Sequence, residues 1–333
     1  MITTHTATTT ARITSTILAD EGAHGRSHVL TLLIACDAEH LEASLEAAHG
    51  ASRDHPSRII AVVPEHEEAQ QPAGPRSRDG HVASDVGGHL DAEIRTGHDA
   101  GVGETIVLRP WGEAAEHIDT LVVPFLLPDT PVVVWWPHDC PPVPSEDPLG
   151  RLATARITNT PALERPETAL RGLAPSSRRG DIDLAWTRIT LWRAMVASAL
   201  SPALRGAGVT SVLIEGERCN ASVALMTSWL RLRLGVPVER RDVEDFKGIA
   251  SVQARTPEGD ITITRVDTDR VRICRPDGRE PQIATMTRRS EVTTLDEELR
   301  RLSPDPLYGE VLAAFLAEGP RNQNSQPTEE AAR

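Results

Sequence analysis

Four short apolar runs punctuate the first 136 residues, at 28–36, 58–63, 105–108 and 131–136. Their β-branched and aliphatic content, bounded by turn residues, is the mark of strands buried within a sheet. Behind the first run, Asp37 can cap a helix whose Leu41, Leu45 and Ala48 share one face and which Gly50 stops. Residues 90–95 alternate apolar and polar side chains as a further strand, and 114–127 can form a helix before Pro128. Strands alternating with helices require a layered, partly parallel sheet. The longest run, 29–36, falls well short of the roughly 18 residues that cross a bilayer. Nor does the N-terminus carry the basic region of an export signal.

The second half keeps the mixed α/β character and changes its rhythm. Ala185, Ile189, Trp192, Val196 and Ala199 fall on one stripe and predict a helix over 181–200, capped by Asp181 or Asp183. A strand at 210–214, a helix over 221–234 ended by Gly235 and Pro237, and a strand at 236–239 make a βαβ-like unit. Alternating runs at 251–255, 261–266 and 271–274, separated by turn residues, read as an antiparallel meander. Helices at 291–302 and 307–316 follow, divided by Ser303-Pro304-Asp305-Pro306.

Prolines at 137, 141, 142, 144 and 148, with Pro131 just before them, suggest a rigid extended linker. The expected organisation is therefore a disordered tail over 1–26, a layered α/β domain over 27–137 and a Pro-rich linker over 138–150. A C-terminal α+β domain over 151–318 and a second disordered tail over 319–333 complete it. The segment 65–88 reads as a charged surface excursion.

Charge weighs against one class of partner. With 35 basic against 48 acidic residues the chain carries a formal −13, which opposes a phosphate backbone and disfavours nucleic acid. Cys36, Cys140, Cys219 and Cys274 are widely spaced and form no C-x-x-C pair, so neither a disulfide framework nor a thiolate metal cage is indicated. A reducing, cytoplasmic setting is expected.

Several catalytic signatures are missing. A phosphate cradle needs a glycine-rich turn between strand and helix, because only glycine lets backbone N–H groups close on a pyrophosphate. Gly216-Glu217-Arg218-Cys219 offers one glycine and an acid, and Gly101-Val102-Gly103-Glu104 precedes a strand. There is no Gly-x-Ser-x-Gly nucleophile turn. Cys219, near a helix start, reads as a packing residue. His81, His89 and His98, with Asp85, Asp91 and Asp99, read as solvated loop residues, not metal ligands. No cofactor, metal or catalytic residue is assigned.

Three segments stand apart. In His55-Pro56-Ser57-Arg58 the proline fixes the start of a strand and Arg58 could hold a carboxylate or phosphate. Trp135-Trp136 must point to opposite faces of the sheet, so one ring is core and the other needs cover from the following domain or a partner. In the segment 185–193, Trp192 lies on the apolar stripe with Arg188 and Arg193 flanking it and Trp186 beside Arg193. That pattern suits a charged rim around a hydrophobic anchor.

These segments, with Gly103-Glu104-Thr105-Ile106-Val107-Leu108-Arg109, Leu126-Leu127-Pro128-Asp129-Thr130-Pro131, Leu191-Trp192-Arg193, Ile214-Glu215-Gly216 and Trp229-Leu230, carry a resemblance. Over roughly residues 27–318 the chain resembles the glucose-6-phosphate dehydrogenase assembly protein (OpcA) family. The resemblance implies a non-catalytic accessory protein of the oxidative pentose phosphate pathway. Its partner would be glucose-6-phosphate dehydrogenase, whose assembly or activity it would promote. His55, Arg58, Trp135, Trp136, Trp186, Arg188, Trp192 and Arg193 become candidate partner or anion contacts. The alternative is a sugar-phosphate-binding enzyme or sensor that uses Arg58, Arg188 or Arg193.

Overall fold

The structure, a computed structural model, describes residues 1–24, 28–53, 55–64, 88–97, 103–206 and 208–319. The first half contains β1 (Ile2–His5), α1 (Thr10–His24), β2 (Leu30–Ala35), α2 (Leu41–Ala51), β3 (Ser57–Val62), β4 (His89–Arg95) and β5 (Glu104–Trp111). It continues through the short helices α3 (Glu113–Glu116) and α4 (Ile118–Val122) to β6 (Val132–Trp136), α5 (Pro148–Leu152), β7 (Ala155–Thr158), α6 (Pro166–Leu173) and β8 (Asp181–Asp183). The second half contains α7 (Leu184–Arg188), α8 (Thr190–Arg205), β9 (Ser211–Gly216), α9 (Ala221–Leu234) and β10 (Val238–Asp242). After these come β11 (Ile249–Thr256), β12 (Gly259–Arg265), β13 (Arg270–Cys274), β14 (Gln282–Thr285), α10 (Glu291–Arg301) and α11 (Pro306–Ala317). The fold class is mixed α/β, as the strand and helix patterns require.

Eight strands form the first sheet in the order β1-β4-β5-β3-β2-β6-β7-β8. The six from β5 to β8 are all parallel. Numbered among themselves along the chain, these six run 3-2-1-4-5-6, the order of a doubly wound nucleotide-binding sheet. Such a sheet is covered on both faces, so its strands must be apolar on both sides. All six residues of β3 are buried, as are five of the six in β2. One face packs Ile13, Ile17, Val122, Phe125 and Leu149 against Leu33, Ile60 and Trp136. The other joins Leu41, Leu45 and Ala48 to Trp135, Trp186 and residues of the second sheet.

The second sheet, β10-β9-β11-β12-β13-β14, combines the parallel βαβ unit β9-α9-β10 with an antiparallel meander. Asn220 caps α9 by accepting from Val223 N at 3.1 Å, and Gly235 ends it in the left-handed conformation.

Three expectations are corrected. The segment 1–26 is no disordered tail over its described part: β1 pairs antiparallel with β4, and Ile13 and Ile17 of α1 are core. Burying one helical stripe on the sheet outweighs the poor periodicity of a Thr-rich sequence. Nor do residues 138–150 separate two domains. They are the crossover between β6 and β7, which pair directly, with Asp147 capping α5 and Leu149 fully buried. A Cβ on Gly150 would stand 1.7 Å from the Pro144 carbonyl oxygen, so the chain folds tightly on itself there. Finally, the helix expected over 181–200 begins as β8, the sixth parallel strand, and then breaks into α7 and α8 at Ile189. Asp183 supplies the cap, accepting from Ala185 N at 2.8 Å.

The segment 65–87 and the tail from 320 onward lie outside the described residues. The helix expected over 114–127 is realised as α3, α4 and a 3-10 turn at Val123–Phe125. The two sheets share one apolar cluster, and α10 lies against α2 and α7, returning the end of the chain to the first sheet.

Candidate functional site

In a doubly wound sheet the ligand crevice lies beyond the carboxyl ends of the strands where their order reverses, here between β2 and β6. A dinucleotide would need a glycine-rich β2–α2 turn. The residues present are Cys36-Asp37-Ala38-Glu39-His40, with no glycine before Gly50 and two acids where phosphates would sit. The His40 and His138 rings stand 3.8 Å apart across the crevice. This turn does not fit a dinucleotide. Burial raises the Cys36 thiol to about 11 and likewise raises that of Cys140, which makes both poor nucleophiles at neutral pH.

The residues singled out in the sequence do not converge. Arg58 is buried and forms an ion pair with Glu104, while donating to the Phe125 carbonyl at 3.1 Å, so it pins β3 to β5 instead of offering an anion site. His55 is half-buried at the start of β3, its Nε2 4.0 Å from Asp296 of α10. Trp135 and Trp136 take opposite faces, and both are covered by this chain. Neither is available as a partner anchor.

Trp186 is fully buried, donating its indole N–H to Asp305 at 2.8 Å. The Arg193 guanidinium lies 3.6 Å above its ring centroid. Burial pulls the Arg193 pKa down to about 10, against the pull of Asp305. The expected hydrophobic anchor with a charged rim is therefore an internal stack tying α7 to α11. Asp183, the N-cap of α7 three residues before Trp186, is itself fully buried. It accepts from Thr158 Oγ1, Thr160 Oγ1 and Thr160 N at 2.7, 2.7 and 3.0 Å.

Arg188 and Trp192 face elsewhere. They line a cleft of about 390 Å³ where the α7–α8 junction meets the start of α9 and the strand ends of the second sheet. Lys247, Arg265, Arg288 and Arg289 reach the same cleft, and Glu217 is the one acid among its lining residues. Apolar surface comes from Ile189, Trp192, Ile249 and Met286. Sequence reasoning found Arg188 and Trp192 and missed Lys247, Arg265, Arg288 and Arg289, which arrive from about 60 to 100 residues beyond Arg188. One signal was visible. Lys247 is the only lysine in an arginine-rich chain, and it stands beside Gly248 in a turn.

Cys219 corrects its reading as a packing residue: it is exposed, in a left-handed turn at φ 56°. Of the histidine and aspartate cluster, His81, Asp85, His98 and Asp99 lie outside the described residues. His89 stacks on Trp111 at 5.2 Å, and Asp91 accepts from Ala7 N at 2.8 Å. Among the described residues no group of three or more His, Cys, Asp or Glu could hold a metal ion, and no helix is long and apolar enough to cross a membrane.

Fold and site together define an α/β protein with nucleotide-type strand order, a β2–α2 turn of acids and a histidine that does not fit a dinucleotide, and a basic cleft where the α7–α8 junction meets the second sheet. Residues 48–175 match the glucose-6-phosphate dehydrogenase subunit N-terminal domain, and residues 179–312 match the C-terminal domain of the same subunit. The chain belongs to the OpcA family of glucose-6-phosphate dehydrogenase assembly proteins. It is 30% identical over 140 residues to a putative OxPP cycle protein OpcA of Synechocystis sp., covering 39% of this chain and 29% of that protein. It is 30% identical over 165 residues to the Synechococcus elongatus counterpart, covering 46% and 37%. The matches thus span about a third of those relatives' lengths.

Among solved structures, a putative oxidoreductase from Erwinia carotovora atroseptica overlays with a TM-score of 0.44 at 10% identity, covering 87% of this chain and 97% of that one. An oxidoreductase from Sinorhizobium meliloti gives 0.46 at 10% identity, covering 88% and 95%. Likeness at that level carries no inference about chemistry.

Proposed function

We propose that this protein is a non-catalytic accessory factor that binds glucose-6-phosphate dehydrogenase and promotes its assembly or activity in the oxidative pentose phosphate pathway. The observation that carries this reading is the match of both halves to domains named for a subunit of that enzyme. The β2–α2 turn supports it, since it does not fit the dinucleotide that a dehydrogenase of this strand order would hold. To activate, the factor must bind the competent form of the enzyme more tightly than the other. A tenfold shift in population requires about 1.4 kcal/mol of differential affinity. The free thiols are consistent with a cytoplasmic setting.

The test is to measure dehydrogenase activity and particle mass with and without the full chain. A heavier complex with raised activity or faster assembly is expected. Unchanged mass and unchanged activity at micromolar concentrations of both proteins would remove the reading.

A further inference from the structure

The cleft at the α7–α8 junction holds more positive charge than its own residues neutralise. Lys247 pairs with Glu217 at 2.8 Å, and Arg289 forms an ion pair with Glu297. Arg188, Arg265 and Arg288 have no ion pair among the described residues. Arg265 donates to the carbonyl of Met286 and to that of Thr268 at 3.3 Å, and Arg288 to the carbonyl of Lys247 at 2.6 Å. Arg188 has no hydrogen-bond partner at all among them, and its Nε is cut off from solvent. The acids nearest Arg188 are committed elsewhere: Asp183 to its ring of donors, and Glu291 to Asn159 Nδ2 at 2.9 Å. Burial and the neighbouring Arg288 both pull the Arg265 pKa down, so the charges repel each other as well as losing water.

A half-buried guanidinium without a partner costs stability unless something outside the chain completes it. Arg188 is such a group, and in a protein of formal charge −13 two further guanidiniums without an acidic partner in the same cleft are not a general surface property. The cleft volume suits a small molecule, and Trp192, nearly fully buried beneath Arg265 at 5.4 Å, gives it an apolar wall.

We propose that this cleft binds a small phosphate ester, with Arg188, Arg265 and Arg288 on the phosphate and the Trp192 side facing the carbon skeleton. Guanidinium forks match phosphate oxygens in geometry as well as charge. The acidic chain as a whole opposes a polyanionic ligand such as nucleic acid. This site does not depend on the accessory role, and the phosphate titrations that test it contain no dehydrogenase.

The full chain is titrated at low ionic strength with glucose 6-phosphate, inorganic phosphate and unphosphorylated glucose, following tryptophan fluorescence and, separately, melting temperature. Saturable binding of the two phosphates and none of glucose is expected. Arg188→Met should weaken it by about tenfold to a hundredfold, the loss of one charged hydrogen-bonding group. Arg241→Met, an exposed residue paired with Glu215 away from the cleft, should leave binding unchanged. If Arg188→Met fails to fold, Arg288→Gln carries the same test, because Arg288 is exposed and its side-chain bond is to one carbonyl. No saturation below about 10 mM, or equal binding by glucose, overturns the proposal. So does unaltered phosphate binding by these cleft variants. Loss of dehydrogenase capture in Arg188→Met without any phosphate binding would give the cleft to an acidic segment of that partner instead.

Discussion

Truncation of Trp186 separates a core residue from a partner contact. The ring is fully buried, its N–H donates to Asp305 at 2.8 Å, Arg193 stacks on it at 3.6 Å, and the Tyr308 ring lies 5.8 Å away. Removing a buried tryptophan side chain costs about 3–5 kcal/mol. The upper half of that range applies here, because Asp305 loses a donor and the Arg193 guanidinium loses the face that replaced its water. Asp305 also caps α11 through Leu307 N at 3.0 Å, so the damage extends into the last helix. Against a typical stability of about 5–15 kcal/mol, Trp186→Ala should be folded but marginal. Its melting temperature should fall by about 8–20 °C at roughly 2–4 °C per kcal/mol.

Trp186→Phe retains much of the volume and should lose about 1–2 kcal/mol, chiefly the hydrogen bond. Arg193→Met should change stability little, since relief of a buried charge offsets the lost stack. Urea unfolding of the three variants, followed by circular dichroism, gives the numbers. A Trp186→Ala chain within about 1 kcal/mol of the parent that no longer captures the dehydrogenase would refute the reasoning. It would return Trp186 to the partner surface.

Asp183→Ala should cost roughly 3 kcal/mol or more in the same assay, because four donors at 2.7–3.0 Å lose their acceptor inside the protein. Gly150→Ala should cost about 2 kcal/mol or more, since its Cβ would overlap the Pro144 carbonyl and backbone must move. A neutral result at Gly150 would mean the 138–150 crossover is looser than its contacts indicate. Glu298 accepts from Thr187 Oγ1 at 2.7 Å, yet burial still raises its pKa above the usual 4.5. The folded chain therefore holds this proton at pH values where the unfolded chain has released it. The resulting stability is present below 4.5 and lost as pH rises through the raised value. Glu298→Gln should accordingly melt higher than the parent at pH 7 and lose that advantage below pH 4.5; a constant difference across both conditions would contradict it.

Much of the fold was legible because its strands obey a strict local rule. The runs at 28–36, 58–63 and 131–136 are apolar on both faces, as parallel strands covered by helices must be, and Gly235 ends α9 by capping chemistry alone. Strand β8 was illegible for the opposite reason. Asp-Ile-Asp sets one strand-forming isoleucine between two aspartates that strands disfavour, and pairing with β7 and four hydrogen bonds to Asp183 place it in the sheet. The prolines of 138–150 misled in the same way, since a rigid segment serves a crossover as well as a linker.

The basic cleft was the least visible feature. Trp192 lies on a local stripe that Arg188 flanks, but Lys247, Arg265 and Arg288 meet them through tertiary folding that no periodicity encodes. Conversely, the Trp–Arg pattern at 186–193 looks alike whether it faces a partner or, as here, an aspartate 119 residues further on.

The placement of α10 against α2 also sets an order in time. The Leu41, Leu45 and Ala48 side of α2 belongs to a cluster completed by Leu295 and Leu299, and Gly50 meets Val292. During synthesis the two helices emerge 240 residues apart, the distance from Ala51 to Glu291. At about 5–20 residues per second the ribosome leaves that apolar side uncovered for roughly 12–48 s. A nascent chain arrested before residue 291 should therefore be a far better substrate for a holdase chaperone than one released after 301. Birth of this protein is finished by its last two helices, however early its first sheet is made.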